Sequence, residues 1–191
     1  MSAQAVAAAP AESALSRIPL LGVAVFIVSE SMFFLGVIFA FVQVRPADVS
    51  QMKAQLDLAR TAVFSVCLFA SSGTVALSHR GGGRHRGWLL LTWILGAVFL
   101  VGQGTEYARL LSSGFSPSSD VFGSAFFTLT GLHGLHVLVG LVAMGTLLVI
   151  ATARPRGLSG VAWEAVTWYW HFVDAVWVVV FSVVYLWTAL S

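Results

Sequence analysis

The sequence predicts an all-α polytopic membrane protein, a bundle of five transmembrane helices. Hydrophobic residues make up 58% of the chain and charged residues 9%, whereas a soluble domain carries about 25% charged residues. Apolar stretches fill almost all of the chain, and about 20 such residues in helical form cross a bilayer. The alternating segments of about ten residues that build a membrane barrel are missing.

The first 16 residues are Ala-rich and lack an apolar core preceded by positive charge, so they read as a flexible tail rather than a signal peptide. Residues 17–191 are expected to form one domain, with helices at about 18–44, 58–79, 88–111, 121–151 and 163–189. The first ends before Arg45-Pro46, and the second before Gly81-Gly82-Gly83. The third starts at Trp88, an interfacial anchor, and ends before Ser112-Ser113-Gly114. Asp120 is placed to cap the free amides of the fourth, which runs to the Arg154-Pro155-Arg156 connection. The fifth begins near Trp163 and continues almost to the C-terminus. Gly131, Gly134 and Gly140 on the fourth helix, and Gly96, Gly102 and Gly104 on the third, favour close helix packing.

Basic residues in short connections set orientation. Arg17, Arg80, Arg84, Arg86, Arg154 and Arg156 fall on one side, in connections free of acid. Arg45, Lys53, Arg60 and Arg109 fall on the other, diluted by Asp48, Asp57 and Asp120. The N-terminus is therefore expected in the cytoplasm and the C-terminus outside. The same topology accounts for the basic residues, leaving no support for a nucleic-acid partner. Cys67, the one cysteine, lies within the second helix and reads as a small apolar packing residue.

Against this apolar background, the ionisable side chains inside the spans carry the information. Glu30 lies near the middle of the first helix, and His133 and His136 are one turn apart on the fourth. On the fifth, Glu164, Trp168, His171 and Asp174 share roughly one face, beside a stripe of Trp163, Trp170 and Trp177 that suits core or lipid contact. Glu106 lies toward the end of the third helix, with Arg109 three residues on as a partner. Counting helical rise puts Glu30 level with the histidine pair, and His171 and Asp174 nearer the cytoplasmic side. Three readings of these groups remain open: a metal site, a proton or ion pathway, and a buried polar network that holds helices in register or grips lipid. The Glu-x-x-His repeats of di-iron bundles are absent. So are a Cys-x-x-Cys-His haem attachment, a phosphate-binding glycine loop and a nucleophile motif.

Five motifs, in order, resemble subunit III of the haem-copper oxidases, over nearly the full length from Ile18 to Trp187. Ser29-Glu30-Ser31-Met32-Phe33-Phe34 is similar to the family's SExxFF, and Gln103-Gly104-Thr105-Glu106-Tyr107 to QxxEY. Ser119 to Phe127 resembles the entry to the following helix, and Gly131 to Val137 the family's GxHGLHV. The most specific stretch is Trp168 to Trp177, which looks like WYWHFVDxVW. The five helices fit the shorter bacterial form, without the first two helices of seven-helix members.

The resemblance implies a non-redox accessory subunit of a respiratory terminal oxidase in the bacterial plasma (inner) membrane, without catalytic residues or a metal of its own. Haems and copper are then expected in partner subunits: the catalytic subunit I, beside which this chain packs, with subunit II and other small subunits. It further implies bound phospholipid in a cleft between helix groups and support for proton uptake by the catalytic subunit. On this basis Glu30, His133, His136, His171, Asp174, Glu106, Arg154 and Arg156 are the candidate lipid-binding or buried polar residues. The same pattern suits an accessory subunit of a quinol oxidase or a nitric oxide reductase. From the residues alone, an independent proton channel or transporter is the further alternative.

Overall fold

The computed structural model describes residues 18–45, 53, 56–80, 85–153 and 160–190. Among them, five helices are long and apolar enough to cross a membrane. These are α1 (Ile18–Gln43), α2 (Leu58–Arg80), α3 (His85–Ser112), α4 (Val121–Ala153) and α5 (Gly160–Phe181). The chain continues from α5 through a π-helical turn, Ser182–Leu186, into a last α-helical turn, Trp187–Leu190. The expected tail and the Arg154–Arg156 connection lie outside the described residues.

Helices α3 and α5 each begin three residues before the expected position. Hydropathy marks only the apolar window, whereas backbone amides near a bilayer continue to need partners inside the helix. Local chemistry sets the ends. Asp57 accepts from the Arg60 amide at 3.0 Å and caps α2. Asp120 accepts from the Gly123 amide and caps α4, as its position predicts. Gly114, at φ 87°, ends α3, with Phe115 N–H bonded to Leu110 O and Gly114 N–H to Leu111 O. That is a Schellman pair, and its left-handed residue favours glycine.

The π-turn departs from the uninterrupted fifth helix expected. Trp187 N–H reaches Ser182 O, five residues back, while the Ser182 hydroxyl bonds to Val178 O at 2.7 Å. The wider turn accompanies the inward placement of Val184, Tyr185 and Thr188, and Tyr185 stacks on Phe181. Trp187 lies under the Arg45 guanidinium, 4.1 Å from its ring centre.

Helices α2, α3, α4 and α5 close into a ring, each packed on the next, and α1 leans on the seam between α4 and α5. Only 11% of the apolar window of α1 is buried, against 44% for α5; α1 is peripheral. At the centre of the ring sits Trp170, fully buried. A Cβ added at Gly96 of α3 would lie 2.6 Å from its ring, and one at Gly140 of α4 would lie 2.8 Å away. The indole is thus clamped between two glycines. Gly102 plays the same part for Phe64 of α2, whose ring lies 2.3 Å from the position a Cβ would take. Gly131 and Gly134 leave ordinary room and Gly104 open space, so only half of the expected glycines enforce close packing.

Gly96→Val should therefore destabilise the bundle by about 1–3 kcal/mol through overpacking, while Gly104→Ala should change stability by less than about 0.5 kcal/mol. Thermal unfolding of the detergent-solubilised chain reads both, and equal midpoints for the two variants would contradict the clamp.

Candidate functional site

The polar residues of the spans do not converge on one site; the structure sorts them into separate clusters. The first is a ladder between α2 and α5. Trp163, Trp170 and Trp177 donate their indole N–H groups to Ser78, Ser71 and Ser65 at 3.1, 2.8 and 2.8 Å. Each serine donates its own hydroxyl hydrogen to a carbonyl of α2: Val75, Leu68 and Thr61 respectively. A hydroxyl has one hydrogen and two lone pairs, so it can donate backward and accept an indole at once. The tryptophan stripe is therefore core, and the serines that receive it went unnoticed in the sequence. Their spacings of six and seven along a predicted helix, matching Trp163, Trp170 and Trp177, were the available signal.

Glu30 and His136 form the second cluster, where α1 meets α4. His136 Nδ1 lies 2.8 Å from Leu132 O, and Nε2 lies 3.3 Å from Glu30 Oε2. A carbonyl only accepts, so Nδ1 carries a hydrogen. Nε2 thus faces the Glu30 carboxyl group across the α1–α4 seam. Around it, Phe34 meets the His136 ring edge-on at 5.0 Å, and the Tyr169 hydroxyl donates to His136 O at 2.9 Å. Ser29 and Ser31 bond back to Phe26 O and Ile27 O of their own helix. The expected equal depth of Glu30 and His136 is thus seen directly.

His133, one turn from His136, points elsewhere. It is fully buried, stacks on Trp177 at 4.7 Å and meets Phe99 at 5.9 Å. Positions three apart on a helix differ by about 60° in direction, enough here to send one ring toward α1 and the other into the ring of four helices. His133 is an aromatic core residue and does not reach the α1 side.

The third cluster joins α2 and α5. Ser72 Oγ lies 3.1 Å from His171 Nδ1 and donates to Asp174 Oδ2. Asp174 is 5% exposed, whereas His171 is exposed. A serine from the neighbouring helix thus bridges Asp174 and His171. Phe172 beside it packs on Phe34, which touches His136.

Glu106 anchors the fourth cluster, at the end of the bundle that carries the α1–α2 and α3–α4 connections. Arg109 grips it through Nη2 and, at 3.3 Å, through Nε, as the spacing predicts. Asp57 N–H reaches Glu106 Oε1 at 3.4 Å, and Arg60 Nη2 reaches Thr105 at 3.3 Å. The cluster ties the start of α2 to the end of α3. Glu164 is half-buried on α5, and Arg154 and Arg156 lie outside the described residues.

Near Glu30 a groove of about 600 Å³ opens between α1 and α4. Met32, Gly36 and Ala40 line one wall, and Ser124, Ala125 and Thr128 the other. It runs away from the Arg154–Arg156 end toward the start of α4. Neither His133 nor His171 lines it. Among the described residues, no three His, Cys, Asp or Glu side chains gather as a metal-binding group.

A model of the cytochrome c oxidase subunit III family matches residues 13–189. The chain is similar to a probable cytochrome c oxidase subunit 3 of Mycobacterium tuberculosis, 38% identical over 175 residues, covering 86% of this chain and 85% of that one. A probable cytochrome c oxidase subunit 3 of Nocardia farcinica is 34% identical over 174 residues, with the same coverage. The cytochrome c oxidase subunit 3 of Synechocystis is 37% identical over 177 residues, covering 86% of this chain and 74% of its own.

The polar contact with His136 makes Glu30→Gln and Glu30→Leu diverge. The glutamine amide can still donate to His136 Nε2, so that variant should cost less than about 1 kcal/mol. Leucine leaves the imidazole without this partner and should cost about 1–3 kcal/mol. Amide exchange along α1 in detergent measures the difference, and matching exchange rates would refute it.

Proposed function

The chain belongs to the cytochrome c oxidase subunit III family, and on that premise we propose that it is a non-redox accessory subunit of a respiratory haem-copper oxidase that holds a phospholipid in the α1–α4 groove. The family membership of residues 13–189 supports the assembly; the groove beside the Glu30–His136 contact is the observation that carries the lipid. Haems and copper supply oxygen reduction from the catalytic partner. The donor set of this chain supports that division. His133 is enclosed by Trp177 and Phe99, His136 is held by Leu132 O and Glu30, and His171 turns to Ser72, so no two of these imidazoles face a common centre.

The groove suits an acyl chain. Its walls are almost wholly apolar, and Gly36 leaves room for methylenes. Ser124 and Thr128 lie toward its open end, near the start of α4. The lipid headgroup belongs there, at the N-terminal end of α4. With the arginine-rich connections expected in the cytoplasm, the lipid we propose lies in the outer leaflet of a bacterial plasma membrane. Glu30 and His136 then act as a polar stop at the inner end of the groove, fixing α1 against α4, and we assign to this ionisable pair the support of proton uptake by the catalytic partner.

Gly36→Leu tests the groove without touching the contact, because a side chain there meets nothing of the protein within 4 Å. The oxidase carrying this variant should purify with its haem-bearing chain intact but with less tightly bound phospholipid, measured as phosphorus per haem. Unchanged phosphorus would refute lipid in this groove. A wild-type chain that purifies without any haem-bearing partner would refute the assembly.

A further inference from the structure

Inside the ring of four helices, Gln103 and Tyr185 are buried polar side chains brought together from different elements. Gln103 belongs to α3 and Tyr185 to the π-turn that follows α5. Among the described residues, neither Gln103 Nε2 nor the Tyr185 hydroxyl completes a hydrogen bond. Gln103 and Thr61 of α2 adjoin the hydroxyl without closing one to it, and Glu106, one turn along α3 from Gln103, stands near. A buried amide or hydroxyl left unpaired is costly, so such groups in folded proteins find protein or ordered water.

Packing holds both groups where they are. The Tyr185 ring stacks on Phe181 at 5.5 Å and tilts against Trp177 at 6.4 Å. Trp177 is itself bonded to Ser65 of α2. On the other side, Phe64 of α2 fills the space over Gly102, the residue before Gln103, which fixes α3 at this level. A direct contact between the two would serve the amide alone. The amide nitrogen only donates, so the tyrosyl hydrogen would still need an acceptor. One water molecule can accept from the amide and exchange a second bond with the hydroxyl, and buried waters typically make two to four such bonds. Thr61 offers a further hydroxyl. Glu106 accepts from the Asp57 N–H and from Arg109 Nε and Nη2, and a carboxylate has about four acceptor sites.

Depth makes water available. The spanning segment Gly160–Leu190 is 31 residues long, and Tyr185 lies ten residues, about 15 Å, beyond its midpoint. The hydrocarbon boundary is also about 15 Å from the midplane, so the hydroxyl sits level with the edge of the oily layer while enclosed by protein. Single π-helical turns within α-helices occur frequently at functional sites, and this one carries the hydroxyl.

We propose that the ring encloses a structural water site at this end, a water held between Gln103 Nε2 and the Tyr185 hydroxyl with Thr61 and Glu106 as its further partners. The π-turn is the element that presents the hydroxyl, and the water ties the last turns of the chain to α3. Neither the oxidase assembly nor the lipid groove enters this inference.

Radiolytic footprinting of the full-length chain, as it purifies in detergent, tests the site. X-ray radiolysis turns water into hydroxyl radicals that oxidise the side chains beside it. Tyr185, 1% exposed, should be oxidised readily, while Trp170, 0% exposed and already bonded to Ser71, should stay protected. Gln103→Leu removes one partner of the water and should abolish the oxidation of Tyr185 while Trp170 remains protected. Oxidation of wild-type Tyr185 no faster than that of Trp170 would overturn the site, whatever the variant does. Unchanged oxidation of Tyr185 in a folded Gln103→Leu chain would overturn Gln103 as the water's partner. Density showing Gln103 Nε2 bonded directly to Tyr185, with no water between them, would overturn the proposal as well.

Discussion

Four helices meet where the Trp170 indole is clamped by Gly96 and Gly140 and its N–H is received by Ser71. Between membrane helices the hydrophobic effect contributes little, because lipid tails are as apolar as the side chains they would replace. Association then rests on dispersion contacts at close range and on hydrogen bonds. Trp170 supplies both at one point: a large flat ring that only Cβ-less positions admit, and a donor that hydrocarbon could not satisfy. The same donor-to-serine bond recurs one heptad to either side, at Trp163 and Trp177. A shift of α5 along α2 by one residue would unmake all three bonds together. The register of the ring is thus set by a repeated polar contact inside an apolar seam.

That register decides where every other polar group falls. With Trp177 turned inward, His133 has an aromatic ring to stack on and is drawn into the core. Tyr169 and Phe172, on another side of α5, face α4 and α1, where the Tyr169 hydroxyl reaches His136 O and Phe172 packs on Phe34. His171 and Asp174 are left to meet Ser72 on α2. Three histidines that look like one constellation along the chain therefore serve as a core ring, a polar partner for Glu30 and a partner for Ser72.

The helices were legible because a bilayer imposes length and apolarity one segment at a time, and neither depends on neighbours. Capping was legible for the same reason: Asp120 and Gly114 act within a few residues of themselves. Neighbour relations were not. The tryptophan heptad suited core or lipid equally until Ser65, Ser71 and Ser78 were seen to lie opposite it. Asp174 and His171 share a face that the sequence displays, whereas Ser72, which bridges them, lies on the next helix and is hidden from it. The π-turn at Ser182 left no mark in hydropathy, since Val183, Val184, Tyr185 and Leu186 are as apolar as a continuous helix would require. The resemblance of the motifs pointed to the family; it did not say which side of the bundle each motif residue faces.

The peripheral helix follows a different rule from the ring. Few side chains of α1, among them Leu20, Phe34 and Phe41, are buried, and its polar attachment is Glu30 to His136. Beyond Glu30, Phe34 packs on Phe172 of α5 and Phe41 on Phe122 of α4, and beside them the facing walls of α1 and α4 stand apart by the width of the groove. An acyl chain filling the gap would supply the dispersion contacts that side chains supply elsewhere in the bundle. The proposed lipid and Glu30 would then act on the same helix from adjacent positions: one would fill the gap in the seam, the other pins its midpoint. A loosened Glu30–His136 contact would widen the groove, and an emptied groove would place more of the attachment of α1 on that contact. The groove and the Glu30–His136 contact are thus one mechanical unit, separate from the Trp–Ser seam that holds the ring.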